Sequence, residues 1–507
     1  MTALKRDKVV YIVSLVVTGV LVGLGLIAPD AFSSSTKDVF NFLIKHLGWW
    51  YLLVLNVFVL FLIFIAFSRF GKLKMGEADS KPEFSDIAWF GMLFGASMGV
   101  GLVFYGVGEP LYHYAAPPFG AAPGSAQAAQ DAMRASFFHW GLHPWASYSA
   151  IAVCLAYFQF RKKAPGLMSS LLMPLLGSRG HRSILGRLVD ILATFATTAG
   201  LATSIGLAVL QINSGLKYVF GLPQGAGPQL AILLTIGFVY TYTAVSGIAR
   251  GIKFLGSLNL FLAFLLSALL LLFGPTLAQV EILLTTTGDY FQNLIIQSFD
   301  LAPYGGEYKG WLGGWTIFYW AWWIAWTPFV SAFLARISKG RTLRSFIGGS
   351  LLVPTFSCFC WFSIFGGTAL NMQLTGTADI TAAIKTDLAS GIFVMYQSLP
   401  LGFLSGLMSA VMIVLVSTFL ITSANAATFV LAMYTTEGNL NPPKTRMLVW
   451  GVLMAALAYV LLLTGGLSAL QTASIVAAGP FSVIMILACY FLLRTLNRDF
   501  PPGAEIK

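Results

Sequence analysis

DIAWFGMLFGASMGVGLVFYGVGEP, residues 86–110, is apolar enough to cross a bilayer, yet glycines stand at 91, 95, 99, 101, 106 and 108. Each costs a helix about 1 kcal/mol against alanine, so the run predicts local unwinding. Irregular backbone is tolerated at membrane depth only where it is buried in protein or lines a water-filled cavity. A span of this kind marks a working part of the molecule.

The rest of the chain fits a membrane solvent. Of 507 residues, 57% are apolar and 10% charged, and the mean hydropathy of +0.80 excludes a soluble protein. Apolar runs of about 20 residues, the length needed to span the hydrocarbon, predict twelve spans: 9–28, 50–70, 86–110, 135–160, 187–211, 230–248, 254–275, 315–337, 346–370, 401–434, 447–466 and 474–494. The first follows Lys5, Arg6 and Lys8 without a small-residue cleavage site, which reads as a span and not a signal peptide. With the N-terminus inside, 24 of the 30 Lys and Arg fall in inner segments and 6 in outer loops. That asymmetry predicts a multi-pass protein of the cytoplasmic (inner) membrane with both termini cytoplasmic. The net charge of +11 is then topogenic and in contact with anionic lipids, with no nucleic acid as partner.

A second abnormal span lies five further on. GGWTIFYWAWWIAWTPF, 313–329, holds five of the thirteen tryptophans. Interrupted spans at matching places in two halves point to inverted repeats. The expected division is 1–84 (two N-terminal helices and a cytoplasmic loop), 85–275 (first repeat, spans three to seven), 276–314 (an amphipathic interfacial helix and loop), 315–494 (second repeat) and 495–507 (a short cytoplasmic tail). Loop 111–134, rich in Ala, Pro and Gly, is expected to be irregular.

Span four contains FFHWGLHPWASY, 137–148. Pro144 cannot donate to the Trp140 carbonyl and its ring collides with it, so a kink is expected there. On a straight helix Trp140 and Trp145 would lie about 140° apart; a bend could bring both to the side of Tyr148. In span eight Trp322 and Trp326, and Tyr319 and Trp323, have the i,i+4 spacing of stacked pairs, and Pro328 is expected to disturb the turn at Ile324. A quaternary ammonium or sulfonium ion has a permanent charge and no N–H to donate. Flat aromatic faces stabilise such an ion by about 2 kcal/mol or more each when desolvated. Trp311 and Trp315 read as interfacial anchors. Cys154, Cys358, Cys360 and Cys489 read as small buried hydrophobes. His139 and His143 lack a third metal ligand nearby. Glu109, costly at membrane depth, is expected to accept from loop or helix-end amides.

The stretches WTIFYWAWWIAWTPFVSAFLARISKGR, SMGVGLVFYGVGEP and FHWGLHPWASY closely resemble the betaine/carnitine/choline transporter family, over roughly residues 85–450. The resemblance implies an all-α, twelve-helix leucine-transporter-like fold with two extra N-terminal helices, homotrimeric assembly and alternating access. It places an aromatic box on Trp140, Trp145, Tyr148 and Trp323, a further ring of the substrate path on Trp326, and Trp322 within the motif but pointing away. It implies a sodium site from the carbonyls of Gly95, Met98 and Phe419 with the hydroxyls of Thr422 and Ser423, beside the flexible Gly99 and Gly101. A second sodium site would use Thr194, Thr198 and Phe329, with Thr197 and Thr203 as competing choices. Sodium is a hard ion that wants oxygen ligands, and unwound backbone exposes carbonyls. The plainer role for Thr422 and Ser423 is back-bonding to their own helix.

Proton-coupled relatives carry an aspartate in the glycine run and exchangers a cationic residue in span five. Val100-Gly101-Leu102 and residues 191–211 have neither. The expectation is sodium symport of an onium solute (glycine betaine, choline, carnitine or dimethylsulfoniopropionate), without an organic cofactor. The alternative is a proton-coupled or sodium-independent exchanger of the same substrates. No dinucleotide, Walker or nucleophile-elbow motif supports an enzyme.

Overall fold

The computed structural model describes residues 8–247 and 249–503, side chains at 97 and 249–253 excepted. Lys5, Arg6 and the last four residues of the tail lie outside that description. Among the described residues the structure is helical, with one isolated bridge between Lys74 and Thr342. Among the described residues nine helices are long and apolar enough to cross a membrane, and the bent pair Asp86–Ala96 and Val100–Ala115 makes ten when counted as one span.

The main helices are α1 (Lys8–Ile27), α2 (Pro29–Phe67), α3 (Asp86–Ser97), α4 (Val100–Ala115), α5 (Ala126–Trp140), α6 (Leu142–Ala156) and α7 (Ile184–Phe220). They continue with α8 (Ala226–Ser246), α9 (Ala249–Phe273), α10 (Thr276–Phe299), α11 (Phe318–Ile337), α12 (Leu343–Leu374), α13 (Phe403–Tyr434) and α14 (Lys444–Asp499). Large apolar side chains such as Phe238, Phe254, Phe261, Leu272 and Phe356 face outward, while Ser, Thr, His and Glu side chains are buried. That distribution suits hydrocarbon as solvent.

Glycine and proline break the helices where their chemistry requires. α3 and α4 meet at an angle of 59°, because Met98 (φ −87°, ψ 121°) and Gly99 (φ −163°, ψ 176°) are extended. α5 and α6 are one predicted span cut at Gly141 (φ −88°, ψ −140°). α14 covers two predicted spans and is interrupted at Gly466, whose φ of 55° with ψ of −131° is a conformation essentially reserved for glycine. Pro328, by contrast, leaves α11 unbroken: its carbonyl accepts from the Tyr434 hydroxyl at 2.7 Å, and the expected disturbance at Ile324 does not interrupt the helix.

Several boundaries differ from expectation. α2 begins at Pro29, some twenty residues before its apolar run, with Pro at the helix start where its missing N–H costs nothing. Most of loop 111–134 is helical: α4 runs to Ala115, and α5 starts behind Ser125, whose hydroxyl accepts from the Ala128 amide. α11 is preceded by Glu307–Leu312 and a wide turn at Gly313–Ile317, giving one helical stretch of 31 residues.

α10 is helical as expected, and it turns its polar face inward. Gln279, Tyr290, Gln297 and Ser298 are buried while Leu277, Leu284, Ile295 and Ile296 are exposed. Asp289 of α10 pairs with Arg134 of α5 at 3.3 Å. The Tyr290 hydroxyl accepts from the Leu142 amide at 3.0 Å, supplying a partner at the start of α6 that the break at Gly141 had removed.

Candidate functional site

Gly141 and Pro144 shape one wall of a central chamber. Pro144 has no N–H for the Trp140 carbonyl, and the Trp145 indole takes its place, donating to that carbonyl at 3.2 Å. The break and this bond bring Trp140 of α5 and Trp145 of α6 to the same side chain of α11. The Trp323 ring lies 5.3 Å from Trp140, 5.2 Å from Trp145 and 5.3 Å from Tyr148, centroid to centroid. Interplanar angles of 81°, 65° and 56° present ring faces and edges to one another, the arrangement aromatic quadrupoles favour.

These four residues line a cavity of about 720 Å³. Trp322, Trp326, Phe329, Phe419, Thr422, Ser423, Gly95, Met98, Gly99 and Gly101 line it as well. Every predicted site residue except Thr194 and Thr198 therefore meets one space.

Trp322 points into the cavity and not away from it. It stacks on Phe318 (5.6 Å, 13°) and stands edge-on to Trp140 (6.4 Å). The stacked i,i+4 pair of α11 is thus Phe318–Trp322 in place of Trp322–Trp326. A methyl group on Gly101 would sit 2.3 Å from the Trp322 ring and 3.1 Å from Trp140, so only glycine fits there. The Trp326 indole donates to the Gly200 carbonyl at 3.0 Å, tying α11 to α7. The indole N–H groups of Trp322 and Trp323 are buried with no partner.

On the opposite wall the helix ends at Ser97, which takes the Gly95 carbonyl out of the regular i,i+4 ladder. Thr422 back-bonds to Thr418 and Phe419 carbonyls at 3.0 and 2.9 Å and accepts from Asn259 Nδ2 at 3.2 Å. Asn259, on α9, lines the cavity with its Oδ1 buried and unpartnered. Nothing in its local sequence marks it, since its neighbours come from other helices. Thr194 and Thr198 donate to the carbonyls of Asp190 and Thr194 within α7, at 2.7 and 2.8 Å. Their rival Thr197 does likewise, to Ala193 at 2.9 Å. Thr203 reaches the Leu470 carbonyl (2.8 Å) and Ser474 (2.9 Å). The structure does not bring Thr194 or Thr198 to Phe329's cavity.

The two histidines of span four separate. His143 bonds Asn56 (3.0 Å) and Ser298 (3.1 Å), whereas His139 bonds Glu109 (2.6 Å) and Thr316 (2.9 Å). Glu109 is held by side chains and not by the expected helix-end amides: besides His139 it accepts from Trp140 (3.1 Å) and Tyr319 (2.5 Å). His113, absent from the sequence-based site, joins this group with its Nε2 3.5 Å from the carboxylate. Trp311 is no simple anchor, since its indole donates to His113. Cys154, Cys358, Cys360 and Cys489 are free thiols.

A helical membrane protein with a broken span facing an aromatic chamber is the architecture of a solute carrier. The sequence profile of the BCCT, betaine/carnitine/choline family transporters, matches residues 9–501. The chain is 43% identical over 496 residues to the glycine betaine transporter OpuD of Bacillus subtilis, covering 98% of this chain and 96% of that one. It is 43% identical to an ectoine/hydroxyectoine transporter of Virgibacillus pantothenticus, over 96% of each. A probable glycine betaine transporter of Desulfitobacterium hafniense is 41% identical over 98% of this chain and 99% of its own. The chain belongs to the betaine/carnitine/choline transporter family, whose members are multi-pass membrane transporters and not enzymes.

Proposed function

We propose that this protein is a sodium-coupled symporter of a methylated onium solute, glycine betaine foremost, working by alternating access. The observation that carries the proposal is the convergence of Trp140, Trp145, Tyr148 and Trp323 on a cavity also lined by the broken span. Such a chamber suits a cation that cannot shed its charge: ring faces supply negative potential without a competing proton acceptor. A relative named for glycine betaine, at 43% identity, agrees with this substrate class, and one named for ectoine, at the same identity, extends it to a delocalised cation.

Sodium coupling rests on the opposite wall. Gly95, Met98, Phe419, Thr422 and Ser423 border the same space, and their carbonyl and hydroxyl oxygens are the hard donors a sodium ion would need. Thr422 keeps lone-pair capacity beyond its back-bonds. Thr194 and Thr198 do not line the cavity that Phe329 borders, so the first site is the better supported of the two. Each sodium entering across 100 mV contributes about 2.3 kcal/mol, worth roughly fortyfold in the attainable solute ratio.

Counting the α3–α4 and α5–α6 pairs as one span each, dividing α14 at Gly466 and leaving out the amphipathic α10 gives twelve spans. We assign spans three to seven and eight to twelve to the two inverted repeats, with boundaries at 85–275 and 315–494. The charge asymmetry favours the cytoplasmic membrane with both termini inside, in contact with anionic lipids. Membership of the family favours a homotrimer.

The test is uptake of radiolabelled glycine betaine by purified protein in liposomes. Accumulation above equilibrium that requires an inward sodium gradient is expected. Accumulation driven equally by a proton gradient, or exchange without any ion gradient, would refute the coupling and leave the substrate class standing.

A further inference from the structure

A carboxylate with no place in that scheme lies directly behind the chamber. Glu109, on α4, is fully buried, as are His113, His139 and Tyr319. Three hydrogen bonds converge on it, from His139 Nδ1 to Oε1 (2.6 Å) and from the Trp140 indole (3.1 Å) and the Tyr319 hydroxyl (2.5 Å) to Oε2. His113 Nε2 lies 3.5 Å from Oε1 without a hydrogen bond. With His139 Nε2 accepting from the Thr316 hydroxyl, its Nδ1 carries the proton, and the ionised carboxylate is the form that accepts from all three.

The ligand atoms of Glu109, His113 and His139 lie within 4.8 Å of one another, which invites comparison with a metal centre. Trp311 argues otherwise. An indole only donates, so its bond to His113 Nδ1 at 3.1 Å leaves the ring proton on Nε2. That nitrogen presents N–H, and no lone pair, to the cluster centre. The donor set is arranged around an anion.

We propose that Glu109 is the concealed counter-charge of the onium site, acting through Trp140. Its carboxylate grips the indole N–H on the far side of the ring from the chamber. Hydrogen bonding to an anion pushes electron density into the indole and deepens the negative potential of its face. The charge itself adds attraction in a medium of low dielectric. A zwitterion would be oriented by it, methylated nitrogen toward Trp140 and its own carboxylate away. Glu109 touches no substrate; it is a positioning and specificity residue, and its role rests on the proposed onium reading of the chamber.

The test compares equilibrium binding of two ligands to the solubilised full chain. One is glycine betaine; the other is tert-butylacetate, in which carbon replaces nitrogen, so the head group keeps its shape and loses its charge. Glu109→Gln is expected to weaken betaine binding at least tenfold and to change tert-butylacetate binding less than twofold. Glu109→Asp is expected to retain the betaine preference. An equal loss for both ligands would mean that Glu109 only holds the fold, and unchanged betaine binding would also overturn the proposal. If Glu109→Gln does not fold, Trp140→Phe and Trp145→Phe replace it. Both keep a ring, but only Trp140 is bonded to the carboxylate, the Trp145 indole being bonded to a backbone carbonyl. The betaine-to-tert-butylacetate ratio is expected to fall at least threefold further in Trp140→Phe, and equal falls would overturn the proposal. Wild-type protein that binds no betaine would overturn the proposed function and this inference together; normal wild-type binding with an unaltered Glu109→Gln would overturn the inference alone.

Discussion

Replacing Trp323 by leucine isolates the contribution of the central ring. Among the described residues Trp323 alone has its ring within 5.3 Å of Trp140, Trp145 and Tyr148 alike, and it lines the cavity. Leucine keeps much of the apolar contact and removes the negative ring face. The loss of one desolvated cation–π contact, about 2 kcal/mol, corresponds to roughly a thirtyfold rise in the Kd for betaine. Three ring pairs are lost at the same time, each worth about 0.5–1.5 kcal/mol, so thermal stability should fall too. Trp320 separates the two effects. It sits on the same helix, packs its ring against Phe138 (5.3 Å) and His143 (5.5 Å), and is buried away from the cavity. Trp320→Leu should lower the melting temperature comparably while changing betaine affinity less than about twofold. Equilibrium binding of labelled betaine, with thermal unfolding measured on the same preparations, reads both quantities. Equal affinity losses in the two variants, or none in Trp323→Leu, would refute the chamber as the substrate site.

Two further outcomes follow from the geometry. Thr422→Ala combined with Ser423→Ala should raise the sodium concentration for half-maximal uptake at least tenfold with sodium-free betaine binding nearly intact; an unchanged sodium activation curve would remove this wall from the coupling scheme. Gly101→Ala would place a methyl group 2.3 Å from the Trp322 ring, which packing at this density cannot absorb without moving the ring. Uptake should fall at least tenfold, and wild-type uptake by this variant would show that Trp322 does not hold its position during transport.

Much of the architecture was legible because its punctuation is local. Glycine and proline act on their own turn, so the break at Gly99 follows from its glycine run and the one at Gly141, beside Trp140, from Pro144 three residues on. Apolar length reports the hydrocarbon crossing, and it is blind to helix beyond it: residues 29–49 and 126–134 are too polar to register, yet they are helical. Pro328 looked as disruptive as Pro144, but its turn sits in an unbroken helix buttressed by Tyr434, a partner more than a hundred residues away. The same limit applies inside the site. The aromatic residues were legible as types in a pattern. The partners of Glu109, the orphan oxygen of Asn259 and the orientation of Trp322 depend on neighbours from separate helices, and local spacing carries no record of them. Thr194 and Thr198 have the spacing of a ligand pair but lie outside the lining of the chamber, a placement set by packing that spacing does not report.

The bond from the Trp145 indole to the Trp140 carbonyl gives one side chain two jobs. It is a panel of the chamber and also the cap for a carbonyl that proline left bare. Phenylalanine at 145 would keep the panel and strand the carbonyl, so tolerance for aromatic exchange there is narrower than substrate chemistry demands. The hydrogen bond ties the two panels across the break at Gly141.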